Sequence, residues 1–476
     1  MKQEAHLELF LNPRSIAVFG SMTEEWFFGP GVIIKDLLAW DYTGTIYPIH
    51  PEAEKVYRLD VRHDIADIGE PIDLAVIITS CRRVPELLEK CGRQGVRAAI
   101  VVADGFGETG PEGMRRQEEL LRIARSHGMR LIGPNTLGTL NTADRFTSIP
   151  YEKGYEYART GPLSIITQTG MYGPQAIALN EYGFGVNKII DLGNMCDIDE
   201  VDCLEYLETD PGTEVISLYL EHTRRPRELL ETARRVSLRK PIICLKGGKT
   251  SAAAEAMASH TGSMAADDRL YGALFSQSGI IRVEEYRDLL DHAAPFVFQP
   301  LPGGNRLGII TFSGAIGIQC VDAAESVGLS VGSLSGESRE KLRATHRLLT
   351  GHPIDLGPAS AVAGPEVFSF YEKSFEVMME DQGIDCVYLN AYVNEILRPD
   401  FYRNLLTRMR DNSGKPVTMW AYGTSERLIH ELGVLAGEHG IPFFSTTQKA
   451  IQALGNLNRY ARWRRARMGE ESSPAQ

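Results

Sequence analysis

The segment Ser259-His260-Thr261-Gly262-Ser263 sets an imidazole among hydroxyls and glycine. It lies in a run with almost no large side chains, from Lys246-Gly247-Gly248-Lys249 through Ala252-Ala253-Ala254 to Ala265-Ala266. A histidine there has little to pack against. Its chemistry would be to accept a phosphoryl group on a ring nitrogen and pass it on. A phosphorus–nitrogen bond keeps a high transfer potential, and the transfer needs positioning and charge neutralisation more than covalent help. Lys246 and Lys249 add positive charge upstream, Thr261 and Ser263 supply donors, and small residues let a loop change conformation. Read alone, a single histidine is more often structural or merely exposed; the flanking composition is what favours the relay.

Two turns could hold the phosphate. Ile165-Ile166-Thr167-Gln168-Thr169-Gly170 and Ile309-Ile310-Thr311-Phe312-Ser313-Gly314 each run from an apolar strand into a hydroxyl residue and glycine ahead of a helix. A helix start presents unpaired N–H groups and partial positive charge, and glycine lets an anion approach the backbone. Either turn by itself reads equally as a plain helix cap; two such tips could grip one phosphate from both sides. Glu221 follows the strand-like run Val215 to Leu220, where a carboxylate could orient the imidazole through its other nitrogen, or simply sit on the surface.

The elements that must position these groups alternate strand and helix nearly throughout. Runs such as Ser15-Ile16-Ala17-Val18-Phe19 and Leu74-Ala75-Val76-Ile77-Ile78 are nearly continuously apolar, the mark of parallel strands covered on both faces. The expected fold is α/β with three doubly wound units. These are a Rossmann-like domain over residues 1–150, a flavodoxin-like domain over 151–298 with the histidine loop, and a second flavodoxin-like domain over 306–465. The Pro/Gly-rich stretch Gln299 to Asn305 separates the last two. The shared strand–turn–helix start suggests duplication. In the first unit, Phe19-Gly20-Ser21 with Gly29 and Gly31 makes a glycine-bearing turn suited to a pyrophosphate, without a full G-x-G-x-x-G. Gly133-Pro134-Asn135 follows its last strand, either as part of a site or as a tight interdomain turn.

A net charge of −12 argues against nucleic acid as the main ligand. The basic run Arg459 to Arg467 reads as a solvated helix end, with docking to an acidic partner surface as the rival. Seven scattered cysteines, none in a C-x-x-C pair, point to reduced thiols, no zinc site and no metal site. The N-terminus lacks a signal-peptide core and no apolar run is long enough to cross a bilayer, so a cytoplasmic protein away from membranes is expected.

With these motifs in order, the chain resembles the alpha subunit of NDP-forming acyl-CoA synthetases (acetate–CoA ligase, ADP-forming), relatives of succinyl-CoA synthetase. The resemblance runs from about Ser15 to Leu457. It is carried by Ser15 to Gly20, Ile46 to Pro51, Gly105-Phe106-Gly107-Glu108, Gly133-Pro134-Asn135, Gln168-Thr169-Gly170, Leu192-Gly193-Asn194 with Asp197-Ile198-Asp199, Leu245 to Gly248, Ser259 to Ser263 and His352 to Asp355. It implies a CoA-binding domain followed by two ligase domains. His260 would be the phosphorylated residue, Glu221 its supporting carboxylate, and Thr169, Gly170, Ser313 and Gly314 the phosphate holders. Coenzyme A would be bound by Gly20, Ser21, Thr79, Ser80 and Asn135, and a small carboxylic acid would be met by Tyr172, Asn194 and Met195. CoA would attack an acyl phosphate, and the phosphoryl group would pass by way of histidine between acyl phosphate and nucleotide. ATP or GTP with Mg²⁺ would bind a separate ATP-grasp beta subunit, in a hetero-oligomer such as α₂β₂.

The chain departs from the family pattern at several points. Gly20-Ser21-Met22 and bulky Trp26-Phe27-Phe28 replace the usual Gly-Ala-Ser, Thr79-Ser80-Cys81 replaces Val-Pro-Ala, and Glu52 stands for a lysine. These departures imply an altered fit to CoA and an unusual acyl substrate. They also keep open a catalytically silent CoA-binding regulatory subunit; a Rossmann oxidoreductase is disfavoured by the missing dinucleotide fingerprint.

Overall fold

The computed structural model of the chain describes residues 4–24, 26–151, 159–170, 184–250, 252–253, 267–349, 351–411 and 414–471. It contains three sheets with parallel cores. The apolar runs dictate this: strands Leu74–Ile77, Leu163–Thr167 and Val215–Leu220 are buried at every position, as strands between two helical layers must be.

The first sheet runs in the order Thr45–Ile49, Ser15–Phe19, Leu74–Ile77, Ala98–Val101, Arg130–Ile132, each pair parallel. In chain order this is 2-1-3-4-5. The winding reverses between Ser15–Phe19 and Leu74–Ile77, and the carboxyl ends of strands at such a reversal form the ligand crevice of open α/β sheets.

The second sheet repeats that order with Val186–Asp191, Leu163–Thr167, Val215–Leu220, Ile242–Lys246 and Ile281–Val283. Two short strands, Thr139–Asn141 and Phe146–Thr147, extend its edge antiparallel. Both fall within residues 1–150, yet they pair with the second sheet. Their polar groups are consumed there and in the N-terminal helix: Thr142 Oγ1 donates to Val186 O at 2.7 Å, and Thr139 Oγ1 to Phe10 O at 2.6 Å. The two sheets form one compact unit reaching Leu289. One apolar cluster joins Phe10, Ile16 and Val76 to Ile166, Ile190 and Leu218.

The second compact unit begins at Leu290, ahead of the Pro/Gly-rich stretch. Phe296 packs edge-on against Tyr460 at 5.3 Å, and Gln299 bonds both Gly440 O and Val417 N at 2.9 Å, which ties the preceding short helix Ala294–Phe298 to this unit. Its parallel sheet is ordered Ser330–Val331, Arg306–Thr311, Cys386–Val393, Val417–Gly423, with Ile354–Asp355 paired to the end of Arg306–Thr311. Among the described residues, no helix is long and apolar enough to cross a membrane.

Candidate active site

Two cavities open at the carboxyl ends of the first sheet. One, of about 450 Å³, sits at the winding reversal and is lined by Gly20, Ser21, His50, Thr79, Arg83 and Lys90 among others. Gly20 makes the crevice possible. Its φ is 136°, and a Cβ would stand 2.2 Å from Ile78 O and 2.9 Å from Pro30 Cγ. Only glycine lets the loops after two neighbouring strands touch here. Ser21 Oγ pairs with Thr23 Oγ1 at 2.8 Å. His50 Nδ1 accepts from the backbone of Glu52 and Ala53 at 3.2 and 3.1 Å, so a neutral ring carries its proton on Nε2. Lys90 holds Asp64 at 2.7 Å and Glu86 at 3.4 Å. The Ala66 backbone N–H and the Lys90 ammonium lower the Asp64 pKa. With His50, His63, Arg83 and Lys90 around it, this crevice suits an anionic ligand with phosphate groups. Ser80 is exposed, and neither it nor Glu52 is among the lining residues.

The second cavity, of about 410 Å³, shares Ile78 and Thr79 with the first. It reaches Asn135, Gly170 and Asp191. The turn at its end is fixed by Thr167: its Oγ1 accepts from Thr169 N at 3.0 Å and donates to Thr169 O at 2.9 Å. Asp191 lies in register with Thr167 on the adjacent strand. Its carboxylate accepts from Leu137 N at 2.5 Å and Gly193 N at 3.2 Å. Burial pushes its pKa up to about 6. A Cβ on Gly170 would come 2.5 Å from Leu137 Cγ and 3.4 Å from Asp191 Oδ2.

The second compact unit contains the same device. Thr311 Oγ1 accepts from Ser313 N at 3.0 Å and donates to Ser313 O at 2.9 Å. Asp355 is in register with Thr311 and accepts from Gly357 N at 2.9 Å. A Cβ on Gly314 would come 3.2 Å from Asp355 Oδ2. The helix Gly314–Ser326 follows directly, and the Ser313 hydroxyl makes no cap bond to it.

Glu221 lies just past strand Val215–Leu220, beside the Thr167–Gly170 turn. Gln168 joins the two: its Oε1 accepts from Glu221 N at 2.6 Å and His222 N at 3.1 Å, while its Nε2 donates to His222 O at 2.9 Å. Tyr219 donates to Glu221 Oε1 at 3.2 Å. Gly247, following strand Ile242–Lys246, runs close enough that a Cβ would be 3.7 Å from Glu221 Cγ. Three strand ends thus converge on this carboxylate. His260 and Tyr172 lie outside the described residues.

Asn135, at φ 59°, lines the second cavity rather than the first and donates to Asn194 Oδ1 at 3.3 Å. Asn194 in turn donates to Glu108 Oε2 at 2.5 Å and Gln117 Oε1 at 3.0 Å. Met195 is fully buried in the core and its sulfur accepts from Gln168 Nε2 at 2.8 Å. The lining of the second cavity includes neither Asn194 nor Met195.

A CoA binding domain model matches residues 14–142, the span of the first sheet, and a succinyl-CoA ligase like flavodoxin domain model matches residues 160–296. The alpha subunit of ADP-forming acetate–CoA ligase I from Pyrococcus furiosus is 32% identical over 471 residues, covering 96% of this chain and 98% of that subunit. The chain belongs to the ADP-forming acetate–CoA ligase family. ADP-forming acetate–CoA ligase II of Archaeoglobus fulgidus is also 32% identical, over 95% of this chain, and the chain spans 66% of that longer relative. Among solved structures, the dinucleotide-forming acetyl-coenzyme A synthetase 1 of Ca. Korarchaeum cryptofilum, in complex with phosphate and ADP, superposes with a TM-score of 0.87 at 30% identity, covering 98% of this chain and 99% of that one. Within this family frame, the cavity at the winding reversal belongs to the CoA binding domain, and the Gln168–Glu221 cluster to the ligase-like domain.

Sequence reasoning missed Asp191, Gln168 as the support of Glu221, and Phe28 as a cavity wall. Asp191 had a usable signal. Asp191-Leu192-Gly193 recurs as Asp355-Leu356-Gly357, each triplet following one of the two hydroxyl–glycine turns. Gln168 offered no local signal, because its partners come from a different strand.

Proposed function

We propose that this chain is the CoA- and phosphate-handling alpha part of an NDP-forming acyl-CoA synthetase. The reaction joins a carboxylic acid and CoA in a thioester while a nucleoside triphosphate becomes diphosphate and phosphate. In this reading His260 carries the phosphoryl group. The acid's carboxylate oxygen attacks that phosphorus, the P–N bond breaks, and an acyl phosphate forms. The CoA thiol then loses its proton and attacks the acyl carbon, so that phosphate leaves with the C–O bonding pair. The Thr169–Gly170 and Ser313–Gly314 turns hold phosphoryl oxygens by their backbone N–H groups. Glu221, kept in place by Gln168 and Tyr219, orients the imidazole and stabilises its cationic form. Gly20, Ser21 and Thr79 seat coenzyme A. ATP or GTP with Mg²⁺ acts on an ATP-grasp beta subunit, in a cytoplasmic hetero-oligomer.

One observation carries this reading: the cavity of the CoA binding domain and the cavity reaching Gly170 share Ile78 and Thr79. A thiol entering past Thr79 meets the phosphate turn. In the test, the chain is combined with an ATP-grasp partner and supplied with acid, CoA and Mg-ATP. Thioester should form, and Glu221→Gln should lower kcat by about a hundredfold or more. CoA binding without any thioester from a panel of acids would instead identify a silent CoA-binding subunit.

A further inference from the structure

The second cavity has a mixed lining: Thr79, Asp104, Asn135, Thr136 and Asp191 are polar, and Phe28, Ile78, Val102, Ala103 and Leu137 form its apolar wall, with Gly170 beside Leu137 and Asp191. Phe28 is not an isolated ring. It sits edge-on to Tyr151 at 5.2 Å, Tyr151 is 6.3 Å from Phe27, and Phe27 is 4.8 Å from Trp26. The arrangement is held by backbone: Phe28 and Tyr151 form a β-bridge, and Gly29 N donates to Pro150 O at 2.8 Å. Half-buried Phe28 is thus pinned between the loop after the first strand and the segment after the second sheet's edge strands. A series of rings runs from the cavity wall to exposed Trp26.

We propose that this cavity receives a carboxylic acid with a planar aromatic body in preference to acetate. The proposal rests on the reading of this place as the thioester-forming site. The carboxyl carbon must lie between the thiol arriving at Thr79 and the Gly170 turn, which directs the rest of the acid along the wall toward Phe28. A two-carbon acid leaves that wall facing water. An aromatic ring covers it, and Phe28, already in an edge-to-face pair, offers the geometry aromatic rings prefer. The 410 Å³ volume lies within the range of pockets that enclose drug-sized ligands.

Calorimetric titration of the full chain with CoA, acetyl-CoA, hexanoyl-CoA and benzoyl-CoA tests this, with CoA as the reference ligand for every variant. Benzoyl-CoA should bind at least about tenfold more tightly than acetyl-CoA, with hexanoyl-CoA between them. Phe28→Ala should bring the benzoyl-to-CoA ratio down to that of acetyl-CoA. Ala103→Phe, which fills the cavity from the end of strand Ala98–Val101, should penalise benzoyl-CoA and spare acetyl-CoA; it keeps the test open should Phe28→Ala fail to fold. Benzoyl-CoA binding no better than acetyl-CoA, or no better than hexanoyl-CoA, overturns the aromatic assignment while the synthetase reading stands. Failure to bind CoA itself overturns that reading, and this inference with it.

Discussion

At Gly20 the backbone runs at φ 136° with the Ile78 carbonyl where a Cβ would go. Gly20→Ala must move one of two loops that both line the CoA-domain cavity. We expect a loss of about 1–3 kcal/mol in denaturant unfolding together with weaker CoA binding; unchanged stability would show that the loops adapt freely. Asp191 bears a different cost. Its folded pKa, about 6, lies above the ordinary 3.8, so between those values the folded state binds more protons than the unfolded one. Its contribution therefore weakens stability as pH rises from about 4 to 6. Half-buried His222, whose pKa is pushed down to about 4 by desolvation, acts with the opposite slope: the unfolded state takes up the proton first. Comparison with Asp191→Asn isolates the aspartate. Relative to wild type, the variant should gain on the order of 2–3 kcal/mol between pH 4 and 7. A pH-independent difference, or a carboxyl carbon resonance titrating near 4, would contradict the assignment. Gly20 was legible in the sequence because a glycine just past a strand is a local signal; His260 lies outside the described residues and stands as a proposal. Asp191 was not legible, since its burial comes from strand neighbours distant along the chain.

The strand–turn device occurs twice and is built alike, but the copies differ in what surrounds it. In the first, Gln168 holds the backbone of Glu221 and His222. In the second, Phe312 occupies the place of Gln168 and stacks on Tyr392 at 5.2 Å, so an aromatic contact replaces the polar one. The sequence showed the duplication through Thr167–Gly170 and Thr311–Gly314. It did not show what Gln168 and Phe312 hold, because their partners Glu221, His222 and Tyr392 lie on or just past other strands. Thr167→Val removes both bonds that shape the first turn. It should cost about 1 kcal/mol in stability and raise the KM for phosphate in the reverse reaction about tenfold or more, with a smaller change in the KM for acyl-CoA. Equal changes in both constants would mean that the turn does not hold the anion. Element boundaries were the least legible feature. Strands Thr139–Asn141 and Phe146–Thr147 fall within residues 1–150, the expected first domain, yet their edge hydrogen bonds place them in the second sheet.

Across the whole molecule, the first two sheets share one winding order, and all three parallel sheets leave their carboxyl edges to loops that carry polar or glycine residues. That regularity follows from apolar strands alternating with amphipathic helices, which is why the fold class was readable from sequence alone. The first compact unit brings the CoA-domain cavity, the phosphate turn and Glu221 onto one connected scaffold. In the proposed reaction run in reverse, phosphate displaces CoA from an acyl-CoA, and the acyl phosphate formed hands its phosphoryl group to the His260 imidazole, releasing the acid before any nucleotide is required. His260 is the residue proposed to receive that group. The direct measurement is incubation of the chain with an acyl-CoA and radiolabelled phosphate, without nucleotide, followed by peptide mapping. Acid-labile label is expected on the peptide containing His260, with CoA released in step with it and no label on His260→Ala. Absence of label on the wild-type chain, or label that persists on His260→Ala, would contradict that proposal.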